Sequence, residues 1–551
     1  MRQLPDPIER AVSALLLALL AASAPAAAQE GVFGEVIDVR VVNLEVVVTD
    51  KGDRVSGLGP EDFKLTVDGK EIPIEYFTEV NGGTAVLRSD ETAGATVPAL
   101  APGIEVGTSY LVFIDEYFSV PNRRDRVLRR MIDQLAYLAP QDRMAIVAFN
   151  GKKVEMLTTW SQSASALERV LRKALDRSAF GLAREAEQRL FESSRNLRLD
   201  PLTGRSLTTV TGDLEIDERA RTDQLVSQTK RAVLAATSAL RSFANPPGRK
   251  VMLLLAGGWP YNPAQWVVRD PNRFVYTSSF ESGDQIYRPL SETANRLGYT
   301  LYPIDVPGLD VTSVNSAEFS STDAALNRFG VREQEREEES TLYALARETG
   351  GRALVDGAGV DALQRVFEDT RSYYWIGFTP NWKGDDASHD VKIKLRRKGL
   401  EVRSRRGFSD LSRETEVTFM VESALLFGDP PGAAPLGAQI GKGQRAGRGK
   451  VTVPLKVIIP TDGLTFLPVE GGFAADTELR VAVLDEDGNT SEIPVIPLGI
   501  KVDQLPEAGR FTVYETQMKV RKKRHDLVVS LYDKPSGKIL STKVEIEPDV
   551  R

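Results

Sequence analysis

The chain has 551 residues, too many for one core, with 42% hydrophobic and 27% charged residues and a formal net charge of −7. That weakly acidic balance argues against general nucleic-acid binding, which needs a basic surface to neutralise phosphates. There is no cysteine, and there are two histidines, His389 and His525. This excludes disulfides and thiolate catalysis and leaves almost nothing for a Ser-His-Asp triad or a histidine-based zinc site.

Residues 11–22 ("AVSALLLALLAA") are an unbroken run of apolar and small residues that follows Arg2 and Arg10. About 12 residues are too few for a bilayer core that needs roughly 20. Ala26 and Ala28 follow in A-x-A spacing. Residues 1–28 are therefore expected to be a secretory signal peptide cut after Ala28. The mature chain is expected in the periplasm or outside the cell, without a transmembrane segment. Residues 29–84 predict a small β domain: "IDVRVVNLEVVVTD" is β-branched and roughly alternating, and Asp68-Gly69 is a hairpin signal. Residues 85–105, rich in Gly, Ala, Thr and Pro, read as a linker.

Over residues 106–378, apolar strands at 110–115, 143–150, 153–157, 250–257 and 299–306 alternate with amphipathic helices. One helix puts Val127, Leu128, Met131, Ile132, Leu135 and Leu138 on a single face. This alternation predicts an α/β class, with a central Rossmann-like, mostly parallel sheet carrying helices on both faces. The polar segment 176–222 reads as an insertion, helical or mobile. Residues 379–408 predict a β-hairpin turning at Lys398-Gly399. Its expected partners are the N-terminal strands around Val41 to Val48, because that small domain has too few strands to bury a core alone. Residues 409–449 read as a linker with a short helix. Residues 450–551 hold short alternating strands and turn signals such as Asp487-Gly488, the pattern of an immunoglobulin-like β-sandwich.

Seven pieces run in order over residues 38 to 408: "VVVTDKGDRVSGLGPEDFKLTVDGKEIPIEYF", "YLVFIDEYFS", "RMAIVAFN", "GRKVMLLLAGGW", "YTLYPIDVPGL", "LARETGGRALVD" and "YYWIGFTP". Together they resemble von Willebrand factor A (VWA) domain proteins, and in particular a related group typical of acidobacterial exported proteins. The resemblance implies a VWA-like domain at residues 106–378 and a function in binding. It also implies where a metal-ion-dependent adhesion site would lie. Such a site uses D-x-S-x-S after the first strand, a threonine from a later loop and an aspartate after the fourth strand. Here "DEYFS" puts Asp115 on the aspartate and Ser119 on the second serine. Tyr117 stands where the first serine belongs, and Ala256 replaces the later aspartate. Thr203, Thr208, Thr209, Thr211 and Thr222 are candidates for the threonine.

Mg²⁺ needs several hard oxygen ligands in an octahedron. Asp115 and Ser119 alone make a degenerate site, open to weak Mg²⁺ or Ca²⁺ at most. In the alternative, Asp115 accepts backbone N–H bonds of the following loop. Asp305 and Asp310, around "IDVPGLD", suit either a calcium site or loop ordering. Tyr117, Arg123, Arg124, Trp259, Tyr261 and Trp266 are the candidate partner-binding surface, since arginine forks and loop aromatics suit such contacts. The sequence reads as an exported, non-enzymatic binding or scaffold protein with a protein partner in the cell envelope or outside the cell. It needs no cofactor and binds no nucleic acid. One alternative is a metal-dependent adhesion module that takes an acidic ligand through Mg²⁺ at Asp115 and Ser119. A secreted hydrolase is the other, although no catalytic dyad can be placed.

Overall fold

The apolar run at Thr108–Asp115 forms a strand buried at every residue, because neighbours cover both of its faces. The computed structural model describes residues 41–86, 100–196, 211–243, 246, 248–268, 279–306, 339–355, 361–427, 434–447, 449–486 and 493–547. The expected signal peptide, Thr203, Thr208, Thr209, Asp310 and the Asp487-Gly488 turn lie outside the described residues.

Thr108–Asp115 is the middle strand of a five-stranded sheet. Arg249–Ala256 and then Tyr299–Asp305 lie to one side, and Arg143–Phe149 and then Val154–Ser161 to the other. The first four strands in this set are parallel, and Val154–Ser161 is antiparallel. Side chains alternate along each strand, so each face buries its own core. Tyr110, Val112 and Ile114 pack with Val127, Leu128 and Met131 of the Pro121–Gln134 helix and with Leu363 and Val366 of the Ala362–Thr370 helix. Leu111 and Phe113 pack with Leu225, Ala236 and Leu240 of the long Thr211–Ser242 helix and with Leu290 of Gly283–Leu297.

The rest of the chain pairs differently. Tyr373–Phe378, counted by the sequence with the central region, pairs antiparallel with Val42–Asp50 and with Tyr76–Asn81. Its alternate residues Tyr374, Ile376 and Phe378 complete a core with Val42, Leu44, Phe63, Leu65 and Phe77. The expected hairpin of residues 379–408 divides between two sheets. Glu401–Arg403 pairs with Val47, Val48 and Thr49. Ala387–Leu395 sits between Phe63–Val67 and Gly407–Asp410. Each N-terminal sheet lacks a strand, and each takes one half of the segment.

Toward the C-terminus, Lys450–Pro460 pairs along its whole length with Phe511–Arg521. Gly472–Asp485 pairs with Val495–Val502 and with His525–Asp533. Val453, Leu455 and Val457 of the first sheet share a core with Leu479, Leu527 and Val529 of the second.

Parallel pairing among the described strands is confined to three ladders of the central sheet and one short contact, Ala434–Pro435 with Ile539–Ile546. Every other ladder is antiparallel. The expected α/β class, built on a dominant Rossmann-like parallel sheet with helices on both faces, is corrected on this ground. Among the described residues the sheets are mostly antiparallel, and the central sheet is a mixed one. The strand–helix alternation holds for residues 108–305, whereas Tyr373–Phe378, inside the expected boundary at 378, belongs to an antiparallel sheet.

The segments read as an insertion and as a linker both contain helices. The 176–222 insertion contains the Gly181–Asn196 helix and the start of the 32-residue Thr211–Ser242 helix. The expected linker contains the Arg413–Phe427 helix, whose Val417, Val421 and Leu425 join the same core as Ala236, Val528 and Tyr532. Arg241 reaches Glu422 at 3.0 Å and lies 3.6 Å from the Phe419 ring centroid. The fully buried Arg480 donates to Thr418 Oγ1 at 2.9 Å. This helix is a joint between the central helices and the C-terminal sheets.

Candidate functional site

Asp115 ends its strand fully buried. Its Oδ1 accepts the backbone N–H groups of Tyr117 at 2.9 Å and Phe118 at 3.2 Å. Its Oδ2 accepts the indole N–H of Trp259 at 2.7 Å. These are loop-ordering bonds, in which an aspartate holds the backbone two and three residues on. None of the three donors carries a charge. Burial pushes the carboxyl up to about 7, against the pull of the Trp259 bond and the two backbone bonds.

Neighbouring side chains close the rest of the turn. Glu116, also buried, accepts Arg177 Nε at 2.6 Å and Nη2 at 3.0 Å, and Arg124 Nη1 stands 3.7 Å away. Tyr117 lies edge-on to Phe118 and Phe149. Its hydroxyl accepts Arg184 Nη1 at 2.6 Å and Arg231 Nη2 at 3.1 Å. Gly151, at φ +91°, lies against that ring: a Cβ there would stand 2.2 Å from a Tyr117 ring carbon. Ser119 is buried, and its Oγ has no hydrogen-bond partner among the described residues. The start of the Gly181–Asn196 helix sits on it, with Gly181 N–H donating to Ser119 O at 3.0 Å. Thr222 donates to Glu218 O of its own helix at 2.8 Å. Asp305 ends its strand with its N–H on Leu354 O at 2.9 Å.

The candidate partner surface is mostly interior. Arg124 is 1% exposed and donates to Asp125 Oδ1 at 2.8 Å and Arg177 O at 2.9 Å. Trp259 and Trp266 are each 1% exposed, and Tyr117 is also buried. Arg123 and Tyr261 are half-buried. Tyr261 ends a stack of three rings: Trp259 and Tyr287 at 6.0 Å and 11°, then Tyr287 and Tyr261 at 6.4 Å and 15°. Its hydroxyl donates to Asp284 Oδ1 at 2.5 Å, and burial together with that bond pushes the phenol up to about 12.

Tyr261 opens onto a groove of about 460 Å³ between the Gly283–Leu297 helix, helical residues 339–349 and the strands Ala387–Leu395 and Gly407–Asp410. Both charge signs line it, through Asp284, Arg288, Glu292, Glu348 and Arg406. Beside it stand Asp385, His389 and Asp410, which offer ligand atoms within 4.8 Å of one another. Sequence reasoning noted His389 as one of two histidines but missed this neighbourhood. Asp410 joins His389 only through strand pairing, and the groove draws on three segments far apart in the chain. The alternation of residues 387 and 389 on one face was the available signal.

No protein-family model and no curated protein sequence matches the chain. Among solved structures, the pilus adhesin SpaC of Lactobacillus rhamnosus GG is similar at 9% identity and a TM-score of 0.21, over 88% of this chain and 57% of that one. A calcium-binding mutant of Bacteroides uniformis beta-glucuronidase 2 is similar at 12% identity and a TM-score of 0.15, and the match spans 20% of this chain and 13% of that one. Likenesses this slight carry no argument about fold or activity.

Proposed function

We propose that this is an exported, non-enzymatic binding or scaffold protein whose partner is a protein in the envelope or outside the cell. The groove beside Tyr261 carries this reading. It is open, wide enough for side chains of a partner, and lined by aromatic edges and charges of both signs. Such a lining suits a protein segment with charges of its own, since complementary rim charges set orientation and on-rate. The motif resemblance to VWA domain proteins belongs to the same proposal and favours binding over catalysis. A metal-dependent contact at Asp115 is not part of it: the carboxylate is fully buried on the Trp259 indole and two backbone N–H groups, and Tyr117 and Ala256 stand where two further oxygen ligands belong.

The test is capture from the native envelope and medium by the full chain, run beside Arg288→Glu/Glu292→Lys. The expected result is a partner that binds wild type and is lost from the variant while the unfolding midpoint is unchanged. A partner held equally by both proteins moves the contact away from the groove. Repeated capture of nothing overturns the binding reading.

A further inference from the structure

Next to the groove, strand register gathers donors suited to a divalent ion. Gly407–Asp410 pairs with Ala387–Asp390, so His389 lies opposite Phe408 and Asp410 opposite Ala387. Residues 387 and 389 share a face, and cross-strand partners project together, which brings Asp410 to the side of His389. The imidazole stacks on Phe408 at 4.8 Å and 23°. Asp385 is exposed, two residues before the strand. One atom from each of Asp385, His389 and Asp410 lies within 4.8 Å of the other two.

Two features distinguish this set from a chance meeting of polar side chains. His389 Nδ1 lies 2.8 Å from Asp68 Oδ2, and Asp68 is itself held by the Asp390 N–H on Oδ1 at 3.0 Å. A carboxylate on Nδ1 favours the tautomer that keeps the proton there and leaves the Nε2 lone pair open, which is how metal-bound imidazoles are oriented. Asp410 is 2% exposed and accepts backbone N–H groups from Lys383 at 2.5 Å and Gly384 at 3.0 Å. Its position is fixed, yet each oxygen keeps a second lone-pair direction.

We propose that Asp385, His389 and Asp410 form a site for a divalent first-row transition ion, with Nε2 and one oxygen of each carboxylate as donors and Asp68 as a positioning residue. One imidazole with two carboxylates suits Zn²⁺ or Mn²⁺. Mg²⁺ and Ca²⁺ favour all-oxygen shells and fit it poorly. Donors on a tetrahedral ion stand about 3.4 Å apart when each bond is about 2.1 Å, against separations of up to 4.8 Å here. The exposed Asp385 supplies the small closure required. Three protein donors leave a position open to water or to an incoming carboxylate. His389 also lines the groove, but the ion site stands whether or not the groove binds a protein.

Calorimetric titration of the full chain with Zn²⁺, Mn²⁺ and Mg²⁺ tests the proposal, read together with histidine ring resonances. The chain has two histidines, and His525 is buried. One equivalent of Zn²⁺ should bind, Mg²⁺ should not compete, and Mn²⁺ should broaden one histidine alone, the one missing from His389→Gln. Asp385→Asn keeps an oxygen for the Ala387 N–H, now accepted at 3.1 Å, and should weaken binding at least tenfold with the fold intact. Asp68→Asn should weaken it by about 10- to 100-fold and shift the His389 ring-nitrogen resonances, which report the tautomer. No saturable binding of Zn²⁺ or Mn²⁺, or binding undiminished in Asp385→Asn and His389→Gln, overturns the site.

Discussion

Asp115 is fully buried and Asp369 largely so, and their surroundings drive them in opposite directions. At the end of the Thr108–Asp115 strand, Asp115 meets an indole N–H and two backbone N–H groups. These are dipoles without net charge, so burial prevails and the carboxyl rises to about 7. At the seam between the central sheet and the N-terminal strands, Asp369 is also raised by burial. There Arg403 and Arg54, each at 2.5 Å, and the Tyr302 hydroxyl at 2.6 Å outweigh it, and the carboxyl ends below its ordinary value. Burial also lowers Arg54, but from a starting value so high that the guanidinium stays charged. At Asp115 the uncharged donors do not offset burial, whereas at Asp369 the two guanidiniums and the Tyr302 hydroxyl do.

The largest effect should come from Trp259→Ala. It removes a fully buried indole and leaves Asp115 Oδ2 without its donor, a loss of about 3–5 kcal/mol by the usual cost of truncating a core aromatic. Urea unfolding measures it. Trp259→Phe keeps the stack with Tyr287 and drops only the N–H, so it should lose about 1–3 kcal/mol. A Trp259→Phe variant as stable as wild type would mean that the bond to Asp115 contributes nothing.

Asp369→Asn comes next. It leaves Arg54 and Arg403 facing a neutral amide, and breaking a buried pair costs about 3–5 kcal/mol. Both guanidiniums are about a quarter exposed, so the lower end, about 3 kcal/mol, is expected. Because the Asp369 pKa is depressed, this stabilisation is present above the unfolded-state pKa and lost as pH falls through the lower folded value. The variant should therefore approach wild type in acid. A gap between the two that is independent of pH would break the contrast with Asp115.

For Asp115 the sign reverses. Its folded pKa lies above the ordinary 3.8, so the folded state binds the extra proton between that value and about 7. The associated stability is fully present below the unfolded pKa and is lost as pH rises through the folded one. Relative to wild type, Asp115→Asn should gain stability over that window and hold a constant difference above it. Paired thermal melts across the range would show this. A flat difference would mean that the carboxyl titrates alike in the folded and unfolded chain, with no net shift from burial.

Strand positions were legible because apolar runs record burial: residues 110–115, 143–149 and 250–256 all lie in strands of the central sheet. Partners were less legible. The alternation in Tyr373–Phe378 shows which residues face inward but not that the core they enter contains Val42 and Phe77. For residues 387–403 the N-terminal strands are the partners, as expected, but the Lys398-Gly399 turn does not say that its two arms enter different sheets. At the turn after Asp115, "DEYFS" showed the missing first serine but not what takes its place. The answer comes from Trp259, 144 residues away. The basic neighbours of Arg124 suggest a surface charge, yet it faces Glu116 and the carbonyls of Leu175 and Arg177 at the end of the Ala164–Leu175 helix.

The smallest effect sharpens the comparison most. Ser119 sits in the turn that Asp115 orders, fully buried, with no partner for its Oγ among the described residues. If an ion sat on Asp115, this hydroxyl would be its second ligand, and removing it would abolish stabilisation by Mg²⁺. If the turn is closed by Trp259, the hydroxyl is an unpaired polar atom in the interior. An unsatisfied buried hydroxyl carries a desolvation penalty of about 1–3 kcal/mol, partly offset by the packing of the oxygen itself. Ser119→Ala should then leave stability unchanged or raise it by up to about 1 kcal/mol. It should also respond to Mg²⁺ as wild type does, with no shift in melting temperature for either protein. A wild type stabilised by millimolar Mg²⁺ beside an unresponsive Ser119→Ala would show that the indole yields to an ion in solution. It would also mean that the uncharged partners around Asp115 do not by themselves determine its state.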